Sequence, residues 1–288
     1  MEIDVQGKLD KLLKWFEGNC QGRAIVALSG GVDSSLVVYG ASKILGRERV
    51  LAVTTKSPIN LDEDLLWAKK VASSVGVEHV VIETDELKYE NFRSNPPNRC
   101  YFCKENLYSV MEKIKGPTDT LLDGLNASDL RVHRPGFLAK RKYQVRSPLA
   151  EVGLTKEDVR GLAKVLGLPN WDRPSESCLA SRVPYGEEVT REKLERIREA
   201  EAAVKELSTV SLVRVRSHDD LARIEIPKEE MLKLFERDTF SKVADRLERL
   251  GFTYVTVDLK GYRSGSLDLM LRKKVIPLEE NQTSPHLF

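Results

Sequence analysis

A pair of glycines and three serines stand between two apolar segments near the start of the chain, in the stretch SGGVDSS (residues 29–35). Glycines let the backbone turn tightly and approach a ligand closely. A helix pattern follows, and the N-terminus of a helix offers unpaired N–H groups and a partial positive charge. The stretch therefore predicts a phosphate-binding loop, with candidate ligands at Ser29, Gly30, Gly31 and Ser34. The simpler alternative is a glycine turn that only joins a strand to a helix.

Asp33 lies in the same stretch, but its carboxylate would repel a phosphate group. A carboxylate beside a phosphate can instead share a Mg²⁺ ion with it, so we expect Asp33 to hold magnesium. The loop lacks the lysine of the GxxxxGK[ST] motif, and it does not match GxGxxG. Polar residues also follow a later predicted strand, at Asp123, Asn126 and Asp129. They could serve a nucleotide, a metal or a substrate, or could only form Asx turns.

Three of the four cysteines form a second set of chemically capable residues. Cys100 and Cys103 flank YF in a predicted loop that leads into a helix, and Cys178 follows 75 residues later (178 − 103 = 75). Three thiolates suit a [4Fe–4S] cluster with one open iron, whereas a structural zinc would need a fourth ligand. A redox pair, a zinc knuckle and coincidence stay open as alternatives. Cys20 precedes the first predicted strand and is expected to be a small buried residue.

Alternating strand and helix patterns over residues 1–170 must position these groups. The strand patterns are AIVALS, VLAVTT, EHVVIET and TLLDGL, and helix patterns lie between them. This alternation predicts an α/β domain with a parallel sheet covered on both faces. Residues 171–189, which carry Cys178, are predicted to be a linker, because prolines and hydroxyl residues interrupt any periodicity. Residues 190–288 predict a smaller α+β domain.

The composition excludes some classes of protein. The 288 residues carry 46 lysines and arginines against 44 aspartates and glutamates, a formal net charge of +2. This near balance gives no broad electrostatic reason to expect a nucleic-acid partner. The longest apolar runs have about five residues, against roughly 20 for a bilayer-spanning helix, and the N-terminus lacks an apolar signal core. We therefore expect a cytoplasmic protein with no membrane partner and no disulfide framework.

The stretch SGGVDSS resembles the SGGxDS loop of the PP-loop ATP pyrophosphatases. These enzymes split ATP between the α and β phosphates and adenylate a substrate. The resemblance implies ATP and Mg²⁺ as cofactors and a parallel sheet of the adenine nucleotide alpha hydrolase-like type. The end of the second predicted strand, TTKSP, would lie beside this loop, and Thr54 is predicted to contact the adenine of ATP.

A more specific resemblance covers residues 23–269. The segments PSESCLASRVPYG, SPLAEVGLTKEDVR, VRVRSHDDLARIE and GYRSGSLD resemble the LarE family of ATP-dependent sacrificial sulfur transferases. The resemblance implies that ATP activates a carboxylate of pyridinium-3,5-biscarboxylic acid mononucleotide as an acyl adenylate. Sulfur then converts it to a thiocarboxylate, in the synthesis of the nickel-pincer nucleotide cofactor. Cys178 matches the cysteine of the CLASR segment, whose sulfur some members transfer, and it is the predicted catalytic residue.

The chain departs from the single-cysteine pattern of this family because it also has Cys100 and Cys103. Some members with three cysteines hold a [4Fe–4S] cluster whose free iron binds the delivered sulfide. The resemblance therefore implies Cys100, Cys103 and Cys178 as cluster ligands and cluster-bound sulfide as the sulfur donor. It also implies a homo-oligomer, with a hexamer as one candidate size.

Arginines are the predicted ligands of the substrate's phosphate. Strand alternation in LVRVRSH puts Arg214 and Arg216 on one face, and two adjacent guanidinium groups suit an anion. The family resemblance implies that this pair binds the phosphate of the small nucleotide-like substrate, and Arg182 in CLASR is a further candidate. The alternative is a solvated charged face that pairs with nearby acids such as Glu225.

Three other functions remain alternatives. A tRNA thiolation enzyme of the PP-loop type also combines such a loop with CxxC and a distant cysteine, although the modest net charge and the CLASR segment do not favour tRNA. An amide-forming ligase of the same fold would use ammonia and need no thiols. A regulatory module that binds ATP or a metal would form no pyrophosphate.

Overall fold

The computed structural model describes residues 5–131, 136–236, 238–263, 265–269 and 271. The chain divides into two compact units between Arg198 and Glu199. The sequence pattern predicts the start of the second domain at residue 190, and the second unit starts nine residues later, inside a helix (199 − 190 = 9). No helix in the described part of the chain has the length and apolar character that a bilayer crossing requires.

The first unit is built on a four-stranded parallel sheet. Its strands are β1 (Ala24–Ala27), β2 (Val50–Lys56), β3 (Glu78–Glu83) and β4 (Thr120–Leu122), in the order β3-β2-β1-β4. Every neighbouring pair is parallel. The carboxyl ends of the four strands therefore share one edge, where α/β folds bind their ligands. This architecture confirms the predicted α/β sheet.

Helices cover both faces of this sheet. The helices of this unit are α1 (Val5–Asn19), α2 (Val32–Leu45), α3 (Asp62–Val75), α4 (Glu90–Arg93), α5 (Arg99–Ile114), α6 (Gly136–Lys142), α7 (Pro148–Glu151) and α8 (Lys156–Val165), and α9 (Arg191–Ser208) crosses the division between the two units. Alternate residues of β1 point to opposite faces. Val26 packs with α1, α2, α3 and α8 in one core cluster, and Ile25 packs with α5 in another. Burial on both faces explains why β1 is an uninterrupted apolar run.

Helix α8 begins at a capping box, as the spacing of Thr155 and Asp158 predicts. The Thr155 hydroxyl accepts a hydrogen bond from the Asp158 backbone N–H, and the Asp158 carboxylate accepts one from the Thr155 N–H at 2.9 Å. The box fixes the start of the helix, so that Lys156 in its first turn reaches the carboxyl edge of the sheet.

Residues 171–189 pack against the first unit instead of running free as a linker. Leu179 is buried with Ile59 and Phe92 in a third apolar cluster. The N–H of Leu179 also donates to the carbonyl of Ile59 at 2.8 Å, just beyond the end of β2. The segment therefore holds Cys178 at the carboxyl edge of the sheet.

The second unit contains a three-stranded sheet in the order β5-β6-β7. Its strands are β5 (Arg214–His218), β6 (Leu221–Glu225) and β7 (Tyr254–Val257). Strands β5 and β6 are antiparallel, whereas β6 and β7 are parallel. Helices α10 (Met231–Phe235) and α11 (Thr239–Arg249) lie between β6 and β7 along the chain. With its apolar core around Val215, Ile224 and Leu247, this is the α+β unit that the sequence predicts.

Candidate functional site

The SGGVDSS stretch forms the turn from β1 into α2 at the carboxyl edge of the sheet. Gly30 adopts a φ of +78°, and a Cβ atom there would lie 2.3 Å from the backbone oxygen of Asp64. Only glycine fits both the conformation and the space. Gly31, the N-cap of α2, has a φ of −82°, and a Cβ there would lie 3.4 Å from the Ser29 hydroxyl. The backbone therefore does not require glycine at position 31, where the missing side chain keeps the turn open.

The serines of this loop differ in exposure, although the hydroxyl oxygens of Ser29 and Ser34 lie 3.3 Å apart. Ser29 is exposed, whereas Ser34 and Ser35 are buried. Ser34 and Ser35 donate to the carbonyl of Gly31 at 3.0 and 2.9 Å, and the Ser34 hydroxyl also accepts the N–H of Ser29 at 3.2 Å. Ser34 thus stabilises the turn from inside, while Ser29 holds its hydroxyl on the open side. The roles of these residues as ATP ligands stay predictions.

Asp33 is held by side chains from two neighbouring segments. The Nδ2 of Asn126, which follows β4, donates to one carboxylate oxygen at 3.1 Å, and the ammonium group of Lys156 pairs with the other. Asp33 is partly exposed, and positive charge already stands beside it. A partly exposed carboxylate at the mouth of the loop fits the chemistry of a magnesium ligand, which is still a prediction.

The other two acidic residues predicted at this edge accept hydrogen bonds from the protein itself. Asp123 is buried and accepts hydrogen bonds from the Tyr108 hydroxyl at 2.9 Å and from Ser147. Burial, and then the charge of Asp123, raise the pKa of Tyr108 above its ordinary value. Asp129 accepts the N–H of Asn126 at 3.2 Å, which is the local turn chemistry considered as the alternative. Of the three polar residues in LLDGLNASD, Asn126 is the one that reaches Asp33 in the loop.

Thr54 uses its hydroxyl inside the sheet. It donates to the carbonyl of Leu28 at 2.6 Å, so its oxygen accepts from the Nε2 of His79 at 2.8 Å. This buried hydroxyl joins the end of β1 to β3 through β2. The contact between Thr54 and adenine remains a prediction.

His79 is expected to make stability depend on pH. Burial, and then the charge of Lys69, lower its pKa from the ordinary value of 6.5. Above pH 6.5 the ring is neutral in both the folded and the unfolded chain. Below it the unfolded chain binds a proton that the folded chain does not, so the free energy of unfolding falls as the pH falls towards the lowered pKa. Urea unfolding at about pH 7.5 and about pH 5.5 should show a smaller loss in His79→Gln than in wild type, and equal losses would contradict this.

Cys100 lies in the first turn of α5, which begins at Arg99, and Cys103 begins the second turn. The predicted loop at these two cysteines is wrong. Arg99 is buried and its guanidinium lies 5.1 Å from the ring centre of Tyr185, a contact distant in sequence that anchors the first turn. Residues three apart on a helix share a face, so the two thiols lie on one side of α5.

Cys178 lies near Cys103. Both pack against the apolar cluster around Ile59. Burial, and then the nearby Cys178 thiol and Glu86 carboxylate, raise the pKa of the Cys103 thiol well above its ordinary value, and the exposed Cys100 acts in the same direction. Within the described ranges, no three His, Cys, Asp or Glu side chains are arranged to hold a metal ion. The fold therefore gathers the thiols in one region, and their role as iron ligands stays a prediction.

Glu86 is a buried carboxylate beside these thiols. It accepts hydrogen bonds from Thr84 and Asn106, each at 3.0 Å, and from Ser57. These donors follow β2 and β3 or belong to α5, so Glu86 ties together the elements around Cys103. Its local sequence, TDELK, is that of an ordinary polar turn and gives no signal of this role.

Arg182 supports the backbone that carries Cys178. Its side chain is fully buried, and its Nη1 donates to the carbonyl of Ser177 and to that of Cys178, the latter at 3.0 Å. These contacts hold the turn in which Cys178 precedes a short 3₁₀ helix (Leu179–Arg182). The structure thus gives Arg182 a positioning contact with Cys178, and its contact with substrate remains a prediction.

In the second unit, Arg214 and Arg216 are buried. The guanidinium of Arg216 donates to Glu225 at 2.8 and 3.0 Å and to the Ser266 hydroxyl at 3.0 Å. The guanidinium of Arg214 lies 5.5 Å from the ring centre of Tyr262. The pairing of Arg216 with Glu225 is the contact predicted as the alternative to phosphate binding. The alternative predicted a solvated face, whereas this pair is buried. Phosphate binding by the pair is still a prediction.

Removing the charge of Glu225 is expected to destabilise the second unit. Glu225 is fully buried and pairs with Arg216 at 2.8 Å and with Arg223 at 3.1 Å. Because Glu225→Gln leaves two guanidinium groups without their shared anion, the free energy of unfolding should fall by about 3 kcal/mol. Urea unfolding measures this change, and Glu229→Gln, at an exposed position, is the control. A change no larger than that of the control would show that the network contributes little stability.

Three residues that contact the loop have no role predicted from the sequence: Asn170 and Arg173, which lie in no motif, and Lys156, which lies in SPLAEVGLTKEDVR. All three come from α8 or the segment after it, more than a hundred residues from Gly30 along the chain. Only the folded arrangement of strands and helices brings them to the loop.

The fold and the loop together define a class of protein. A parallel sheet whose first strand turns through SGGVDSS into a helix is the arrangement of the PP-loop ATP pyrophosphatases, and this chain is an enzyme of that type. The NAD synthase family model matches residues 8–111, which include the loop. An NH(3)-dependent NAD(+) synthetase of Thermococcus sibiricus is 26% identical over 54% of this chain and 61% of its own length.

Several relatives match most of the chain. A pyridinium-3,5-bisthiocarboxylic acid mononucleotide synthase of Lactiplantibacillus plantarum is 36% identical over 87% of this chain and 91% of its own length. An uncharacterized protein of Synechocystis is 42% identical over 93% of this chain and 100% of its own length. The chain belongs to the LarE family, the family of this synthase, which confirms the resemblance found in the sequence.

Proposed function

We propose that this chain is an ATP-dependent sulfur transferase that adenylates a carboxylate of pyridinium-3,5-biscarboxylic acid mononucleotide and converts it to a thiocarboxylate. This reaction would be a step in nickel-pincer nucleotide synthesis. The observation that carries the proposal is the position of the phosphate loop and of three thiols on one edge of the same sheet. The 36% identity to a synthase of the corresponding bisthiocarboxylic acid supports the choice of substrate.

The first half-reaction makes the carboxylate reactive. A carboxylate resists substitution because its leaving group would be an oxide ion. Attack of a carboxylate oxygen on the α-phosphorus of ATP forms an O–P bond, and pyrophosphate departs with the electron pair of the broken P–O bond. The Gly31 N–H and the Ser29 hydroxyl on the open side of the loop would receive the pyrophosphate, with Asp33 holding Mg²⁺ beside them.

The second half-reaction replaces AMP by sulfur. A sulfur nucleophile attacks the activated carboxyl carbon, and AMP leaves with the electron pair of the broken C–O bond. Anionic sulfur is strongly nucleophilic and needs no separate general base. Arg182 would contribute by holding the backbone of Cys178 in place.

The sulfur source is proposed to be a [4Fe–4S] cluster on Cys100, Cys103 and Cys178, which supplies sulfide when bound. Three thiols in one region match the ligands that such a cluster takes, and a bound cation would offset the cost of deprotonating Cys103 beside Glu86, although no three-ligand arrangement is already formed among the described residues. The alternative source is Cys178 itself. After the Cys178 sulfur is acylated, loss of the Cα proton and cleavage of the Cβ–Sγ bond would release the thiocarboxylate and leave dehydroalanine.

The phosphate of the substrate is assigned to Arg214 and Arg216, as the family resemblance implies. Both side chains come from β5, where they concentrate positive charge that Glu225 neutralises in part. A bound phosphate would complete the neutralisation.

Anaerobic purification followed by iron, sulfide and absorbance measurements tests the proposal, together with assays containing ATP, Mg²⁺, the biscarboxylic mononucleotide and inorganic sulfide, which replaces the sulfur transferred at each turnover. We expect pyrophosphate, AMP and a thiocarboxylate product, with the mass of the Cys178 peptide unchanged after many turnovers. If the protein is free of iron and Cys178 loses its sulfur in one turnover, the sulfur source is Cys178 itself and not a cluster. A protein that forms no pyrophosphate with this substrate would overturn the proposed function.

A further inference from the structure

The carbonyl oxygen of Gly30 is held by two side chains from the segment after α8. The Nδ2 of Asn170 donates to it at 2.8 Å, and the Nη1 of Arg173 donates at 3.2 Å. Asn170 is fully buried and donates its second amide hydrogen to the Ser35 hydroxyl at 2.9 Å. Both amide hydrogens are therefore used, which fixes the orientation of this side chain.

Arg173 is fixed from the other side by α3. Its Nη2 donates to the Asp64 carboxylate at 2.7 Å, and its guanidinium lies 6.0 Å from the ring centre of Trp67. Asp64 lies in the first turn of α3, and its backbone oxygen is the atom that a Cβ at Gly30 would strike. Because Asp64 neutralises Arg173, the guanidinium acts on the loop chiefly through its directed hydrogen bond.

The direction of this carbonyl decides where the next N–H points. A trans peptide directs its carbonyl and its N–H to opposite sides, and the chain contains no cis peptide bond among the described residues. Holding the Gly30 oxygen towards the buried Asn170 therefore turns the Gly31 N–H towards the open side. There the N–H lies 3.4 Å from the hydroxyl of the exposed Ser29. Because glycine permits several orientations of this peptide, the hydrogen bonds from Asn170 and Arg173 are needed to hold it in one of them.

We propose that Asn170 and Arg173 are positioning residues for nucleotide binding. Together they orient the Gly30–Gly31 peptide so that the Gly31 N–H donates to the phosphates that leave as pyrophosphate. The proposal rests on the ATP-binding part of the proposed function. Both residues lie outside SGGVDSS and would affect nucleotide binding through a single peptide group.

Calorimetric titration with inorganic pyrophosphate and with ATP, each with Mg²⁺, tests this proposal. Asn170→Ala removes the principal donor to the Gly30 carbonyl, so both affinities should fall by about tenfold or more. Arg173→Lys keeps the charge but loses the guanidinium group, whose two terminal nitrogens bind Gly30 and Asp64 at the same time. Both affinities should fall by about threefold to tenfold. Asp172→Asn, at the exposed position next to Arg173 in the sequence, is the control and should bind as wild type does.

Thermal unfolding without ligand separates orientation from stability. A merely structural role would lower the unfolding temperature and leave the affinity of the folded protein unchanged, which would overturn the proposal. If Asn170→Ala does not fold, the titration of Arg173→Lys decides the matter by the same criterion. Wild-type protein that binds neither pyrophosphate nor ATP would overturn the proposed function as well, whereas folded variants that bind as tightly as wild type would overturn only the positioning role.

Discussion

In a variant with Cys178 replaced by serine, thiocarboxylate formation is expected to fall below about one thousandth of the wild-type rate, while adenylation continues. Both routes for sulfur pass through this thiol, because a serine hydroxyl is neither a thiolate ligand of iron nor a source of sulfur. Adenylation continues because the loop and Asp33 are unaltered. Product mass and pyrophosphate release, measured on the same sample, separate the two half-reactions.

Cys20→Ala is the matched control for the loss of a thiol. Cys20 is buried in the core before β1, at the end of the sheet opposite to the loop, and burial raises the pKa of its thiol. Both half-reactions should proceed in this variant as in wild type. Thiocarboxylate formation by Cys178→Ser at the wild-type rate would remove Cys178 from the mechanism.

Gly30→Ala is expected to weaken ATP binding by at least about 100-fold. The added methyl group would overlap the backbone oxygen of Asp64 at 2.3 Å, and alanine is strained at a φ of +78°. The turn must therefore change shape, which displaces the carbonyl from Asn170 and Arg173. The free energy of unfolding should fall by about 1–3 kcal/mol, as judged by urea unfolding, and calorimetry gives the ATP affinity.

Gly31→Ala provides the contrast one residue further on. Its φ of −82° suits alanine, and the nearest contact of the new methyl group is the Ser29 hydroxyl at 3.4 Å. Unfolding stability should stay within about 0.5 kcal/mol of wild type, whereas ATP affinity should fall because the methyl group lies on the open side of the turn. Wild-type affinity in Gly30→Ala would show that the shape of this turn is not needed for nucleotide binding.

The elements that the sequence predicts well are those with local determinants. The apolar run of β1 indicates burial on both faces of a parallel sheet, and the paired glycines indicate the turn that follows. The capping box from Thr155 to Asp158 spans only four residues of chain, and the structure contains it. Patterns of this kind require no knowledge of which segments meet in space.

Features set by contacts distant in sequence could not be predicted in the same way. Arg99, the first residue of α5, contacts Tyr185, which is distant in sequence, and the CxxC pair lies on this helix where the local pattern suggested a loop. Asn170 and Arg173 stand in a segment with no periodicity, and nothing local connects them with Gly30. The burial of Arg216 against Glu225 likewise follows from the pairing of β5 with β6.

The segment from Arg173 to Leu179 is fastened at both ends, to Gly30 at one and to Ile59 at the other. Cys178 lies five residues beyond Arg173 (178 − 173 = 5), and an extended chain covers at most about 3.6 Å per residue, so their Cα atoms lie within about 18 Å. In the proposed reaction, so short a segment would keep Cys178 close to the loop that is predicted to bind ATP. A substrate of mononucleotide size would then need no mobile carrier group to move from adenylation to sulfur transfer. The adenylate would also stay out of bulk water, where it would be hydrolysed.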